Sequence, residues 1–327
     1  MKALVLEKPG IPDSLLMAEM PLPQPKVDEI RVKVHAVGLN PVDYKVAASG
    51  FSRWSYPFIL GLDVAGVVDA VGADVTDWQV GDKVYYHGNL SKPGGYAEYT
   101  NATAIAVAPL PEGVSFTEAA SIPCAGLTAY QALHRRLHIQ SEQTILIHGG
   151  AGGVGGFGVQ LAVLAGLEVI TTCSRSNFDY VQQLGTKHLI DYKNEDVVAR
   201  VKEITKGRGV DAILDTVSSE TATKGFEMLA FNGGIACIAG LPDFSKFKPF
   251  SIAASIHEVA LGGAYLSGDK IAIKDLGKMA REMGELVRQK KVDSMLTEVI
   301  SLEEIPEALN RLKGRHVRGK IVAKVAE

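Results

Sequence analysis

A short apolar run from Ile145 to Ile147 stops at His148 in Gly149-Gly150-Ala151-Gly152-Gly153-Val154-Gly155. Val154, Phe157, Gly158, Leu161 and Ala165 then recur at the spacing of one helix face. The segment therefore predicts strand, tight turn and helix. The same alternation continues downstream. Strands are predicted over 168–172, 188–191, 210–214 and 234–239, and helices over 180–184, 197–204 and 221–229. Strands alternating with helices imply a parallel sheet covered on both faces. The first third has a different texture, with short strands punctuated by glycine and proline. Residues 2–6 read as a strand, and Pro21, Pro23 and Pro25 mark an extended connection. Residues 29–37 alternate polar and apolar, as in a half-buried strand, and further strands fall within 57–71, 80–86 and after Gly94. Helices over 117–121 and 128–134 mark the change of texture. Near the end, Leu276, Met279, Ala280, Met283 and Val287 keep one apolar face of a long helix. A strand through Val299, a short helix carrying Ile305, Ala308, Leu309 and Leu312, and a strand over 320–325 follow. Ser301 and Glu304 have capping-box spacing, while Pro306 argues for a later start of the regular helix. This tail is too small to stand alone and is expected to fold back onto the first third.

The pattern predicts an α/β chain: a Rossmann-type doubly wound parallel sheet over 123–265 and a β-rich domain from 1–122 with 266–327. Composition changes this picture little. The 327 residues are 46% hydrophobic and 22% charged, with a net charge of -3. That balance gives no electrostatic case for nucleic acid or an anionic membrane as partner. The N-terminus meets Lys8 and Pro9 too early for a signal peptide, and no apolar run is long enough to cross a bilayer. Three widely spaced cysteines, Cys124, Cys173 and Cys237, give no disulfide framework and suit a cytoplasmic protein.

The glycine run carries candidate chemistry. Gly150, Gly152 and Gly155 fit G-x-G-x-x-G between strand and helix, the context in which that spacing binds a dinucleotide. Gly150 is expected to make the tight turn, Gly152 to let backbone approach a pyrophosphate, and Gly155 to let helix pack on sheet. Gly153 and Val154 open the new helix, whose free N–H groups and dipole suit phosphate. An acidic residue ending the second strand would grip the ribose diol of NAD. Here the chain reads Thr172-Cys173-Ser174-Arg175, and no carboxylate appears until Asp179. Ser174 and Arg175 suit a 2′-phosphate, so the expected cofactor is NADPH. The plainer alternative is a solvated Arg175 and an indifferent site.

Together the motifs resemble those of the medium-chain dehydrogenase/reductase superfamily, in its zinc-free quinone-oxidoreductase (zeta-crystallin-like) branch. The resemblance rests on Gly38-Leu39-Asn40-Pro41-Val42-Asp43, Leu60 through Val68, Val80-Gly81-Asp82-Lys83-Val84, Gly94 through Tyr99 and Ala125 through Tyr130. The glycine loop and Arg318-Gly319-Lys320-Ile321-Val322 complete it. It implies a GroES-like catalytic domain split by the Rossmann domain, with the active site in the cleft between them. It also implies a homodimer joined through a strand near 259–264. Zinc-dependent relatives carry Cys at the position of Asn40 and a His-Glu pair at Leu62-Asp63, with a further Cys at Cys124. A catalytic zinc needs three protein ligands. Asn40 and Leu62 break that set, and the four cysteines of a structural zinc are absent between Tyr86 and Tyr99. No metal is expected. His35 and His87 read as surface or satisfied polar residues, and Cys124 as a small buried one.

Without a Lewis acid, hydride transfer suits quinones and α,β-unsaturated ketones or aldehydes, whose carbonyl oxygen takes up the added charge. Asn40 is the expected hydrogen-bond donor to that oxygen, with Tyr44 or Lys45 as proton donor. Each has a plainer alternative: Asn40 before Pro41 as a turn former, Tyr44 as core, Lys45 as a solvated end. The resemblance further implies Thr128 near the nicotinamide and Tyr192 beside the adenosine phosphate, or simply covering a strand end. It places Val217, Ala239-Gly240-Leu241, Ala264 and Tyr265 near the nicotinamide half, with Lys320 reaching a phosphate. Asp215 reads as ordering a strand-end turn. Two alternatives stand beside an NADPH-dependent quinone or enone reductase. One is an enoyl-thioester reductase, which would need basic contacts for a carrier that the sequence does not show. The other is a non-catalytic NADPH-binding, crystallin-like protein.

Overall fold

The computed structural model describes residues 1–315 and 317–326. Contacts divide the chain into two compact units, one of residues 1–127 with the segment from Leu261 onward, the other Thr128–Ala260. Sequence texture puts the joints at 122/123 and 265/266. The segment after Ala260 belongs with the first unit because the Tyr265 hydroxyl donates to the His87 carbonyl at 2.6 Å. Among the described residues, no helix is long and apolar enough to cross a membrane.

The first unit is built around the strand Glu29–Gly38, which hydrogen-bonds antiparallel to Asp63–Val71, Tyr99–Thr103 and Lys320–Lys324. Its alternation does what the pattern predicts. Ile30, Val32, Val34 and Ala36 are fully buried, while Lys33 is exposed. The tail returns to this sheet through Lys320–Lys324 and, beside it, Leu296–Ser301. Ile305, Ala308 and Leu309 of the helix Ile305–Lys313 join the same core. Glu304 accepts from the Ser301 N–H at 2.7 Å just before that helix, and Pro306 sits in its first turn, as the local sequence requires.

The second unit holds six parallel strands: β1 (Thr144–His148), β2 (Glu168–Cys173), β3 (His188–Asp191), β4 (Val210–Asp215), β5 (Leu229–Cys237) and β6 (Ser255–Glu258). Their order is β3-β2-β1-β4-β5-β6, all parallel. This is the doubly wound Rossmann order, and the chain reverses direction across the sheet between β1 and β4, where such sheets bind ligands.

Three local expectations need correction. The helix Gly153–Leu164 is not amphipathic: every residue from Gly155 to Ala162 is buried, so its apolar stripe is a buried cylinder. The segment expected as an edge strand near 259–264 is not one. The edge is β6, and Gly263–Ser267 is a short helix. Regular α-helix covers only Thr128–Tyr130, flanked by π-turns over Pro123–Leu127 and Gln131–Arg136. The wider turns leave Leu137 N donating to Ala132 O at 2.9 Å, five residues back.

Candidate active site

In the first unit, strand register gathers a polar cluster. Val322 stands opposite Gly38, so continuing that antiparallel register brings Lys320 beside Asn40. Gly38 in turn faces Asp63, and Asp63 faces His87. Four strands thus set Lys320, Asn40, Asp63 and His87 across one end of the sheet. The helix Pro41–Ser49 starts there, with Asn40 as N-cap and Pro41 at the first position, where a missing N–H leaves no bond unmade. Asp43 Oδ2 accepts from the Asn40 backbone N–H at 2.8 Å and from the Tyr96 hydroxyl at 2.9 Å. The Asn40 side chain donates through Nδ2 to Asp63 Oδ2 at 2.9 Å and to Gly38 O at 3.5 Å. Lys320 Nζ donates to Leu39 O at 2.9 Å and to Asn40 Oδ1, and lies 3.4 Å from Asp63 Oδ2. Cys124 N donates to Asp63 Oδ1 at 2.8 Å.

Asn40, Asp43, Asp63, His87 and Lys320 are all at least 96% buried. Two carboxylates share one ammonium, and that sets the electrostatics. Burial pushes the Asp43 carboxyl up to about 7, with the Asp63 charge adding to it; the bonds from Asn40 and Tyr96 and the Lys320 charge oppose the rise. Burial also raises the Cys124 thiol, which stays protonated at neutral pH, and lowers His87, which stays neutral. His87 Nδ1 has no hydrogen-bond partner.

A pH dependence follows. Asp43 titrates near 7 when folded and at the ordinary aspartate value of 3.8 when unfolded. Between those values the folded state holds a proton that the unfolded state has lost. Asp43 therefore makes stability fall as pH rises from about 4 to about 7, and level off above. The total is on the order of a few kcal/mol. D43N keeps an oxygen for Asn40 and Tyr96 and removes the charge. Denaturant titrations across this window should show D43N gaining on wild type as pH rises to 7. A pH-independent difference would contradict the assignment.

In the second unit the glycine loop joins β1 to the helix Gly153–Leu164. The left-handed residue is Gly149, with φ of 76°, one position before the expected Gly150. Gly150 is required for another reason: a Cβ there would lie 2.4 Å from Thr171 Oγ1 on β2. At Gly155 a Cβ would lie 2.2 Å from the Gly149 carbonyl oxygen, so only glycine lets the helix approach this closely. At Gly152 the nearest atom would be 3.5 Å away. Gly152 is the N-cap, and the Gly153, Val154 and Gly155 N–H groups have no carbonyl earlier in the helix to bind. This open, donor-rich cradle fits a pyrophosphate.

At the end of β2, Ser174 Oγ accepts from Asn177 Nδ2 at 3.1 Å and shares a bond with Ser176. The exposed Arg175 guanidinium lies 4.7 Å over the Phe178 ring. Asp191, opposite Cys173 on β3, accepts from Asn194 Nδ2 at 2.7 Å and from Lys193 N–H at 3.2 Å. Bonds from Asn194 first, then Lys193 and Arg175, keep its carboxyl below the ordinary range. Tyr192 follows it and is exposed.

Comparison with known proteins settles the family. Residues 153–300 match the family described as zinc-binding dehydrogenase, and residues 26–112 the alcohol dehydrogenase GroES-like domain. The chain is 32% identical to the quinone oxidoreductase of Pongo abelii over 241 residues, 73% of this chain and 73% of that protein. The chain is a medium-chain dehydrogenase/reductase of the quinone-oxidoreductase branch. The structure of the quinone oxidoreductase from Coxiella burnetii superposes with a TM-score of 0.85 at 30% identity, over 100% of this chain and 99% of that one. CurK enoyl reductase superposes with a TM-score of 0.88 at 28% identity, over 99% of each chain. Members of this superfamily are oxidoreductases that bind a nicotinamide dinucleotide.

The family description raises the question of zinc. Asp63, His87 and Cys124 place one ligand atom each within 4.8 Å of one another, and carboxylate, imidazole and thiolate are ligand types that zinc accepts. Their surroundings do not fit a dication. Asp63 Oδ1 is engaged by Cys124 N, and Oδ2 by Asn40 and the Lys320 ammonium. The cluster already holds its cation.

This medium-chain reductase places several expected residues differently. Asn40 was expected to donate to a substrate oxygen, but both its amide hydrogens are committed to Asp63 and Gly38. It is a helix cap and a crosslink, closer to the turn-forming alternative. Tyr44 packs against the first unit's core, and Lys45 is exposed. Lys320 does not reach out for phosphate; its donors are used on Leu39, Asn40 and Asp63. Tyr265 directs its hydroxyl to His87 O. His87 is neither on the surface nor satisfied, because it is buried with Nδ1 unpartnered. Asp215 does order a turn, accepting from Val217 N at 2.8 Å and Ser218 N at 3.2 Å. Thr128 is buried at the start of its helix, and Ala264 is half-buried. Gly240 has φ of 148°, and a Cβ there would lie 2.3 Å from Ser219 Oγ; Ala239 precedes it and Leu241 beyond is exposed. Sequence reasoning passed over the Asp43–Tyr96 bond and Asp63 as the partner of Asn40, Cys124 N and Lys320. Asp43, Asp63 and Tyr96 lie inside quoted motifs, but nothing in their spacing signals that Tyr96 and Asp43 meet.

Proposed function

We propose that this protein is an NADPH-dependent reductase that delivers hydride to quinones or α,β-unsaturated ketones and aldehydes without a metal. The observation that supports this most is the Asn40–Asp63–Lys320 cluster, in which both Asp63 oxygens are bound to protein donors and the Lys320 ammonium already occupies the place of a cation. With no Lewis acid to make an alkoxide, an alcohol is a poor hydride donor, and an already polarised acceptor is the better partner. NADPH, when bound, supplies the hydride. Gly152, Gly153, Val154 and Gly155 hold its pyrophosphate, and Ser174 and Arg175 its 2′-phosphate, with Tyr192 beside them. Thr128, Val217, Ala239, Gly240, Leu241 and Ala264 are the further residues toward its nicotinamide half. The protein's remaining task is to align the acceptor and exclude water.

The likeness to CurK enoyl reductase favours a second reading, reduction of an enoyl thioester. One assay separates them: loss of NADPH absorbance with a panel of quinones, enones, enals and enoyl thioesters. Turnover of quinones or enones and enals is expected. Selective turnover of thioesters selects the second reading. A change in NADPH fluorescence with no acceptor consumed marks a binding protein and overturns the proposal.

A further inference from the structure

The parallel sheet of the second unit carries one polar row across its centre. Thr172 on β2 stands opposite His148 at the end of β1. Leu214 on β4 stands opposite Ile147, so continuing that register brings Asp215 beside His148. Residues abreast on neighbouring strands point to the same face, about 4.8 Å apart. His148 and Asp215 are both buried, at 4% and 1% exposure. The row is already half bonded. Thr172 Oγ1 accepts from the Gly149 N–H at 3.1 Å and lies 3.3 Å from His148 Nδ1. Asp215 Oδ1 accepts from Val217 N at 2.8 Å and Ser218 N at 3.2 Å. One atom of each side chain is left over: His148 Nε2 and Asp215 Oδ2 have no partner among the described residues. Burial lowers the His148 pKa and the Asp215 charge opposes the fall, so the ring is neutral at neutral pH. A neutral imidazole has one donor nitrogen and one acceptor nitrogen. A proton on Nδ1 would leave a bare lone pair at Nε2 beside a carboxylate. With the Thr172 hydroxyl donating to Nδ1, the ring proton sits on Nε2, and the leftover pair is a donor and an acceptor.

We infer that Thr172, His148 and Asp215 form one relay, in which His148 Nε2–H serves Asp215 Oδ2, and that His148 is a positioning residue for the dinucleotide. The relay runs from the Gly149 N–H through Thr172 Oγ1 and the imidazole to Asp215, and from Asp215 to the Val217 and Ser218 N–H groups. It joins the start of the pyrophosphate cradle to the Val217 turn, on the two sides of the point where the sheet reverses direction. The two loops already meet there. Thr216 Oγ1 donates to His148 O at 2.7 Å, and a Cβ on Gly149 would lie 2.8 Å from Thr216 Oγ1. His148 acts through these loops rather than on the reacting atoms. Walls that are fixed to each other before the dinucleotide arrives cost less to order when it binds. The inference rests on the reading of this crevice as the dinucleotide site and adds the residue that couples its walls.

The test reads tautomer and affinity separately. Full-length protein with isotope-labelled histidine is measured by long-range proton–nitrogen correlation without cofactor, and H148Q identifies the His148 signals by their loss. Wild type is expected to show a neutral His148 protonated on Nε2. D215N is expected to invert it: the amide oxygen stays on Val217 N and Ser218 N, the amide nitrogen donates to Nε2, and the ring proton moves to Nδ1. A residue that only ordered its own turn would leave the imidazole unchanged. Fluorescence titration with NADPH and NADH follows. H148L is expected to weaken both about tenfold, the worth of one charge-assisted bond. H148N keeps a partner for Thr172 but loses the reach to Asp215, and it is expected to weaken both likewise, which covers the case of an unfolded H148L. H148Q keeps an N–H near the place of Nε2 and is expected to stay within about threefold of wild type. A wild-type His148 protonated on Nδ1, or a D215N with the wild-type tautomer, overturns the relay. Affinities of H148N and folded H148L equal to wild type overturn the positioning role. A wild type that binds neither dinucleotide overturns the reading of the crevice and the positioning role with it; the tautomers still show whether the relay exists, so the two failures are told apart.

Discussion

G155A is expected to reduce NADPH affinity about a hundredfold or more and to lower Tm by roughly 3–10 °C. The added Cβ would meet the Gly149 carbonyl oxygen at 2.2 Å, its carbon at 2.7 Å and Gly150 Cα at 3.1 Å. All three are backbone atoms, so no side chain can swing aside. Relief requires the helix Gly153–Leu164 to move off β1, and that helix is buried from Gly155 to Ala162. Moving it misdirects the N–H groups meant for the pyrophosphate. G152A is the matched control. Gly152 has an extended φ of -83°, and its Cβ would find nothing closer than 3.5 Å. G152A should therefore keep Tm within about a degree, because nothing in the protein is displaced, yet lose affinity, because the methyl fills the space left for phosphate. Fluorescence titration with NADPH and thermal melts of both variants check this. Unchanged affinity in G155A would remove the glycine loop from the cofactor site.

R175A is expected to raise KM for NADPH about ten- to hundredfold and leave KM for NADH within about twofold. A charge-assisted hydrogen bond is worth roughly 1.5–3 kcal/mol, which is that factor. The guanidinium lies over the Phe178 ring and is exposed, so its loss leaves no buried hole. The backbone of the turn is fixed independently of that side chain, by Asn177 N–H donating to Ser174 O at 2.8 Å. An affinity change in R175A therefore reports on the side chain. Steady-state kinetics with both cofactors decide the matter, and an equal loss for NADPH and NADH would show that Arg175 does not read the 2′-phosphate.

The two halves of the chain were not equally legible. Strand β3 and the helix Val197–Ile204 are bounded by the residues their pattern indicates, because polar turns flank both and the helix keeps Val197, Val201 and Ile204 on one core-facing side. The helix Gly153–Leu164 was legible in position and misleading in character. An apolar stripe predicts a half-exposed helix, whereas a helix pressed on β1 and β4 is covered all round. Gly158 shows the closeness, since a Cβ there would lie 2.7 Å from Leu214 Cδ2. Asn40 was legible as a special position because it precedes proline at a helix start. Its partners were not.

Local pattern by itself determined the Rossmann order of elements, the glycine cradle and the absence of a carboxylate after β2 until Asp179. Those features depend on residues within a few positions of one another, where backbone preference and side-chain period act directly. Only the tertiary structure decided the chemistry of the catalytic unit. Lys320 lies 257 residues from Asp63 and 280 from Asn40. They meet because Glu29–Gly38 takes Lys320–Lys324 on one side and Asp63–Val71 on the other, in a register fixed by which side chains must be buried. That pairing turned an expected phosphate contact into a buried ammonium, and an expected substrate donor into its anchor.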